Sequence, residues 1–222
     1  MSKKTALLFG ATGLTGSYLL HLLQNDNSYE KIKIFVRRKT VFPSNEKLEI
    51  QVVELSSPET FSQYLNGDDL FCCLGTTIAV AGSKEVFRKV DFDLPVKIAE
   101  AASKNNVSCF VVVSSLGADP KSSNFYLKTK GEMEEAIQKF SFAKTAILRP
   151  SMLLGDRKEF RLAELVGKGL MRVLGFVFIG SLKKYKAIQA KDVAKAMIVI
   201  ANQDLGKIIF ESDEIREMAK KC

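Results

Sequence analysis

A chain of 222 residues with 46% hydrophobic residues can close one α/β domain around a sizeable core and falls short of two full domains. Its net charge of +8 is spread along the chain without a basic run interleaved with aromatics, so it predicts a solvated basic surface and no nucleic-acid partner. The lone histidine, His21, argues against a histidine-built metal site or a Ser-His-Asp triad; the cysteines Cys72, Cys73, Cys109 and Cys222 form no C-x-x-C pair and read as reduced thiols of a cytoplasmic chain, with no metal.

In chain order, Met1-Ser2-Lys3-Lys4 leads straight into an apolar run, leaving no room for a signal-peptide cleavage region and supporting a cytoplasmic setting. Thr5 to Phe9 predicts a strand, Gly10 ends it, and Leu14 to Leu23 carries leucines at helical spacing. Lys33 to Val36 and Leu48 to Val53 predict strands two and three, joined through the turn-like Phe42-Pro43-Ser44-Asn45 instead of a long helix. Leu70 to Leu74 predicts strand four, closed by Gly75; Ser83 to Lys104 has helical spacing, with Pro95 expected to kink it or start a new segment.

Cys109 to Val113 is nearly all apolar, as a parallel strand buried on both faces must be. A loop from Ser114 to Asn124, a helix from Phe125 to Lys139 and a sixth strand, Thr145 to Leu148, follow, ended by Arg149-Pro150. Six strands with five crossovers predict a single Rossmann-like, doubly wound parallel sheet in three layers. Residues from about 151 to 222 are expected to form a small C-terminal substrate or lid region of that one domain. It holds helical patterns at Glu159 to Leu174 and Lys191 to Asn202, a strand-like Lys207 to Phe210 and a charged terminal helix. The uncharged stretch Val173 to Leu182 is too short to span a bilayer. The overlapping Leu170 to Ile179 fits three roles: the wall of a substrate pocket, a subunit interface in a homodimer, or core.

Gly10-Ala11-Thr12-Gly13-Leu14-Thr15-Gly16 is G-x-x-G-x-x-G between a strand and a helix, the context that gives a glycine pattern meaning. Gly10 permits the sharp turn, Gly13 lets backbone approach a pyrophosphate, and Gly16 lets the helix pack closely, while free N–H groups and the helix dipole favour anionic oxygens. After strand two, where an NAD binder carries a carboxylate for the ribose, this chain has Arg37-Arg38. Guanidinium groups there suit a 2′-phosphate, so NADP(H) is expected in preference to NAD(H).

Ser114 and Ser115 end strand five, and Tyr126 and Lys130 follow as Y-x-x-x-K, one turn apart on one helix face. A tyrosine hydroxyl can move a proton at neutral pH only if its pKa falls from ~10, and a fall of about two units needs roughly 3 kcal/mol of preferential stabilisation of the phenolate. The Lys130 ammonium and the positive ring of an oxidised cofactor can supply it; Lys130 can also hydrogen-bond the nicotinamide ribose, and Ser115 can orient the substrate oxygen.

These stretches, together with Cys72-Cys73-Leu74-Gly75-Thr76-Thr77, Val90-Asp91, Ser114 to Asp119 and Leu153 to Arg157, carry a resemblance across about residues 5 to 157. The chain resembles the short-chain dehydrogenase/reductase superfamily in its atypical branch of NAD(P)H-binding proteins, of the Tat-interactive-protein type. The resemblance implies that Leu74, Gly75, Thr76 and Thr77 line the adenosine and pyrophosphate, that Ser114, Tyr126 and Lys130 contact the cofactor, and that Arg157 closes over the nicotinamide half. Beyond Arg157 no match identifies a substrate.

The first expectation is an NADPH-dependent oxidoreductase reducing a carbonyl on an unknown small substrate, with Tyr126, Lys130 and Ser115 as its catalytic set. The alternatives are a non-catalytic, NADP(H)-sensing regulatory protein and a nucleotide-sugar epimerase-like enzyme, the last normally needing a larger C-terminal lobe than this chain supplies.

Overall fold

The computed structural model describes residues 3–155 and 184–222. In strand β1 (Lys4–Phe9), Ala6 and Leu8 turn to one face and Leu7 and Phe9 to the other, and all four are fully buried. That two-sided burial is the signature of a central parallel strand and requires a helical layer on each side. After β1 come α1 (Leu14–Asn25), β2 (Tyr29–Val36), β3 (Leu48–Val52), β4 (Asp69–Cys72), α2 (Ile78–Ala81), α3 (Lys84–Arg88), α4 (Leu94–Lys104), β5 (Cys109–Val113), α5 (Phe125–Ile137) and β6 (Lys144–Arg149). The chain continues through β7 (Leu153–Leu154), β8 (Ile188–Gln189), α6 (Ala190–Asn202), β9 (Ile209–Glu211) and α7 (Ser212–Ala219).

The main sheet is parallel, in the order β3-β2-β1-β4-β5-β6-β9. On one face Leu8, Ile34, Val111 and Leu148 pack with α1 and α6; on the other Leu7, Phe110 and Val112 pack with α4 and α5. The expected three-layer, doubly wound architecture is therefore present. No long helix joins β3 to β4. Short 3₁₀ turns at Pro58–Thr60 and Ser62–Tyr64 bring in Phe61, whose ring meets Phe9 edge-on at 5.5 Å beside the stacked Phe9–Phe35 cross-strand pair.

The structure corrects two details and bears out a third. Strand two begins at Tyr29, four residues before the apolar run, because its charged start is paired by β1, with Lys4 opposite Tyr29 and Thr5 opposite Lys31. The sheet has a seventh strand, β9, which joins β6 in parallel register with Ile209 opposite Ile147. Pro95 starts a new segment as expected: it stands in the first turn of α4, which begins at Leu94. A π-helical turn at Lys89–Asp93 precedes it, the Leu94 N–H reaching back to Lys89 O, and this wide turn accommodates a residue that has no N–H and would crowd the carbonyl four residues earlier.

From the C-terminal third, α6 packs against α1 and α7 against α6, so residues 190–219 complete one layer of the main body. β7 and β8 form a separate parallel pair beyond the carboxyl end of β6. The expected helix at Glu159 to Leu174, the apolar stretch Leu170 to Ile179 and Arg157 lie outside the described residues. Among the described residues no helix is long and apolar enough to cross a membrane.

Candidate cofactor and catalytic site

Strand order reverses between β1 and β4, and open α/β sheets bind ligands at the carboxyl ends of strands at such a switch point. Gly10 leaves β1 there with φ +86°, and a Cβ on it would come within 2.7 Å of the Cys73 carbonyl group. The Gly13 N–H donates to Gly10 O at 2.8 Å, closing the turn. A Cβ on Gly16 would collide with Gly10 O, so the third glycine lets α1 pack directly on the turn. No side chain caps α1 and its first turn holds no acidic residue, leaving its N–H groups and positive dipole end open to an anion. This cradle fits a pyrophosphate. Ala11 and Thr15 are buried beneath it, Thr12 is exposed, and Leu14 lies under Gly155, where a Cβ would sit 2.6 Å from Leu14 Cδ1.

Arg37 and Arg38 follow β2, the neighbour of β1; both are exposed and neither makes an ion pair among the described residues. Leu74, Gly75, Thr76 and Thr77 form the loop after β4. Its Thr76 N–H donates to Asp91 Oδ2 at 2.9 Å, and Thr77 Oγ1 accepts the Val80 N–H at 3.1 Å to cap α2.

Helix α5 starts at Asn124, whose side chain accepts the Leu127 N–H at 3.2 Å. It lies so close to the loop after β5 that a Cβ on Gly131 would strike the Pro120 backbone, and the Asp119 N–H donates to Leu127 O at 3.2 Å. Tyr126 is half-buried, with its ring 5.4 Å from that of Phe87 and its hydroxyl without a hydrogen bond among the described residues. Lys130 is buried, and its Nζ lies 2.7 Å from Asp91 Oδ1. Burial alone would favour loss of its proton, but the Asp91 carboxylate and the nearby Tyr126 phenol outweigh burial and hold the Lys130 pKa above the ordinary lysine value.

The two serines differ. Ser115 is half-buried and its hydroxyl has only a long contact, 3.4 Å, to Leu116 O. Ser114 is buried and donates to Glu134, which also takes the Arg149 guanidinium, Nε lying 3.0 and 3.1 Å from its two oxygens. Glycine turn, Leu74–Thr77 loop, Tyr126, Lys130 and Ser115 thus share the carboxyl edge of the sheet. The Ser114 side chain instead joins an ion pair behind it.

Sequence reasoning assigned no role to Asp91 or Glu134. The signal was present: Phe87, Asp91, Pro95 and Ile98 follow one helical face and all are buried, so a carboxylate stands where the pattern demands an apolar residue. Lys130, Glu134 and Ile137 repeat the pattern on α5. Burial pushes the Cys72 thiol up to about 11, and burial with Asp69 pushes Cys109 up to about 12.

Residues 10–204 match the NAD(P)H-binding family. The chain is 34% identical over 228 residues to Protein FMP52, mitochondrial, of Candida albicans, covering 97% of this chain and 98% of that one. It is 36% identical over 167 residues to Protein HTATIP2 of Rattus norvegicus, covering 74% and 69%. Among solved structures it is similar to MoeE5 in complex with UDP-glucose and NAD, with a TM-score of 0.68 at 17% identity, covering 98% of this chain and 81% of MoeE5. At that identity the last likeness concerns the fold.

Proposed function

The chain belongs to the NAD(P)H-binding family, in the atypical branch of the short-chain dehydrogenase/reductases, and on that premise we propose that it is an NADP(H)-dependent oxidoreductase reducing a carbonyl on a small substrate. One observation carries the reading: the buried, charged Lys130 lies one helical turn from a half-buried Tyr126 with an unengaged hydroxyl, across the Cys73–Gly75 backbone from the glycine turn. NADPH, when bound, supplies the hydride that the carbonyl carbon receives. Tyr126 gives its proton to the carbonyl oxygen, Lys130 stabilises the phenolate left behind, and solvent restores the proton. Ser115 donates a hydrogen bond to the same oxygen. Arg37 and Arg38 take the 2′-phosphate, which sets the preference for NADP(H).

Titrating the nicotinamide fluorescence of NADPH and NADH against the wild-type protein and Arg37→Ala tests this reading. The expected result is NADPH binding at least ~10-fold tighter than NADH, a margin largely lost in the variant. Equal affinities in the wild type would remove the preference for NADP(H), and failure of both cofactors to bind would remove the oxidoreductase. A second reading, a non-catalytic sensor of NADP(H), is favoured by Asp91, which offsets the charge Lys130 can present to Tyr126. It predicts an NADPH-dependent change in protease susceptibility without turnover of any carbonyl. A cytoplasmic setting is expected for the chain, whereas the FMP52 relatives are named as mitochondrial, and cell fractionation decides between the two. Size-exclusion chromatography with light scattering separates monomer from homodimer.

A further inference from the structure

Asp91 stands where two parts of the site meet. Its Oδ2 accepts the Thr76 N–H at 2.9 Å, fixing the loop after β4, and its Oδ1 lies 2.7 Å from Lys130 Nζ on α5. The carboxylate and the ammonium are each nearly inaccessible, with side-chain exposures of 1% and 4%. Gly75 lies over the pair: a Cβ there would sit 3.4 Å from Asp91 Oδ1 and 3.9 Å from Lys130 Nζ. The wide turn Lys89–Asp93 carries Asp91 at its centre, a local rearrangement of the kind found where a helix serves a site. Among the described residues Lys130 Nζ meets Asp91 Oδ1 as an ion pair and donates no side-chain hydrogen bond, so its N–H donors are uncommitted.

We propose that Asp91 is a positioning residue that couples the Leu74–Thr77 loop to Lys130, so that ligand seated on the loop and the charge presented to Tyr126 are set together. This rests on the reading of Tyr126 and Lys130 given above. A carboxylate bridging a backbone N–H and an ammonium holds both at fixed separation, and a shift of the loop drags the counter-ion of Lys130 with it. The same carboxylate weakens the pull of Lys130 on the Tyr126 proton, because a unit charge in the buried pair opposes the ammonium at close range.

The test needs neither substrate nor turnover. Tyrosinate absorbance is followed against pH for the wild-type protein and Asp91→Asn, each referenced to a matching Tyr126→Phe chain so that only Tyr126 is read. Asparagine keeps an acceptor for the Thr76 N–H and removes the charge. The expected result is ionisation of Tyr126 at a pH lower by about half a unit or more, the direction that an uncompensated ammonium dictates. An unchanged or raised ionisation pH would overturn the proposal, since a merely structural Asp91 would alter stability and leave this titration alone. Should Asp91→Asn not fold, amide hydrogen exchange in Lys130→Gln carries the test: loss of the counter-ion weakens the hold of Asp91 on the loop, and Thr76 exchange is expected to speed up ~10-fold. Unaltered exchange at Thr76 would show that loop and ammonium are independent. Failure of NADPH to bind the wild type would count against the oxidoreductase reading and would leave both measurements standing as tests of Asp91.

Discussion

The sheet holds a buried aspartate, a lysine and a tyrosine at each end, and the two sets behave differently. At the amino end Asp69 Oδ2 accepts the Tyr29 hydroxyl at 2.7 Å and takes Lys4 Nζ at 3.0 Å. Lys4 also reaches Asn202 Oδ1 at 3.0 Å, tying β1 to the end of α6. Tyr29 is fully buried, and burial first, then Asp69, raise its pKa far beyond the ordinary tyrosine range. At the carboxyl end Asp91 takes Lys130 and a backbone N–H, and the tyrosine hydroxyl is left over. The same three residue types make a lock where every polar group is satisfied by its neighbours, and a candidate site where one group is not. Satisfied networks rigidify; an unspent hydroxyl beside a buried charge is what chemistry requires.

The comparison breaks most sharply at the glycine turn. Gly16→Ala places a methyl against the Gly10 carbonyl, and the expected outcome is no measurable NADPH binding with a loss of roughly 3 kcal/mol in urea unfolding. Asp69→Ala strikes the other end. It leaves the Tyr29 hydroxyl buried without its acceptor, costs about 2 kcal/mol in the same experiment, and leaves NADPH affinity within about twofold of wild type. The tyrosines sharpen the contrast: Tyr29→Phe should cost about 1 kcal/mol, whereas Tyr126→Phe, which removes a hydroxyl without a hydrogen bond among the described residues, should change stability by less than about 0.5 kcal/mol.

The smallest effect is the pH dependence of the melting temperature. Cys72, Cys109, Tyr29 and Lys130 all have pKa values raised in the folded state, so their contributions are complete below their unfolded values and are lost as pH rises toward the folded ones. Melting should therefore be insensitive to these groups up to about pH 8.5, decline as unfolded thiols ionise, and decline more steeply above about pH 10 as tyrosine and lysine follow. Tyr29→Phe should remove part of the second stage and leave the first intact.

Much of this organisation is legible in the sequence because it rests on local requirements. The glycine spacing reports a turn whose atoms nearly touch, and the apolar runs from Leu70 and Cys109 report strands covered on both faces. The arginine pair is legible from its place after a strand, and Tyr126 and Lys130 from one turn of helix. Features that depend on distant partners are legible only in part. The strand-like character of Lys207 to Phe210 is legible, but not its place in the sheet: β9 is three residues long and joins only because β6 offers it an edge. Asp91 has its meaning from Thr76 and Lys130, which other elements deliver, and from a π turn that no residue pattern announces. Ser114 and Ser115 are adjacent and alike in sequence; only the position of Glu134 and Arg149 turns one inward and leaves the other at the crevice.

The central claim, that the carboxyl-end tyrosine is a proton donor, is tested most directly by incubating wild-type protein and Tyr126→Phe with NADPH and a panel of aldehydes and ketones, following the loss of nicotinamide absorbance. The account predicts NADPH oxidation with at least one carbonyl, reduced ~10²-fold or more in kcat by Tyr126→Phe, with NADPH affinity within about twofold of wild type. Oxidation at the same rate in Tyr126→Phe, or none by a wild-type protein that binds NADPH across a broad panel, would contradict it.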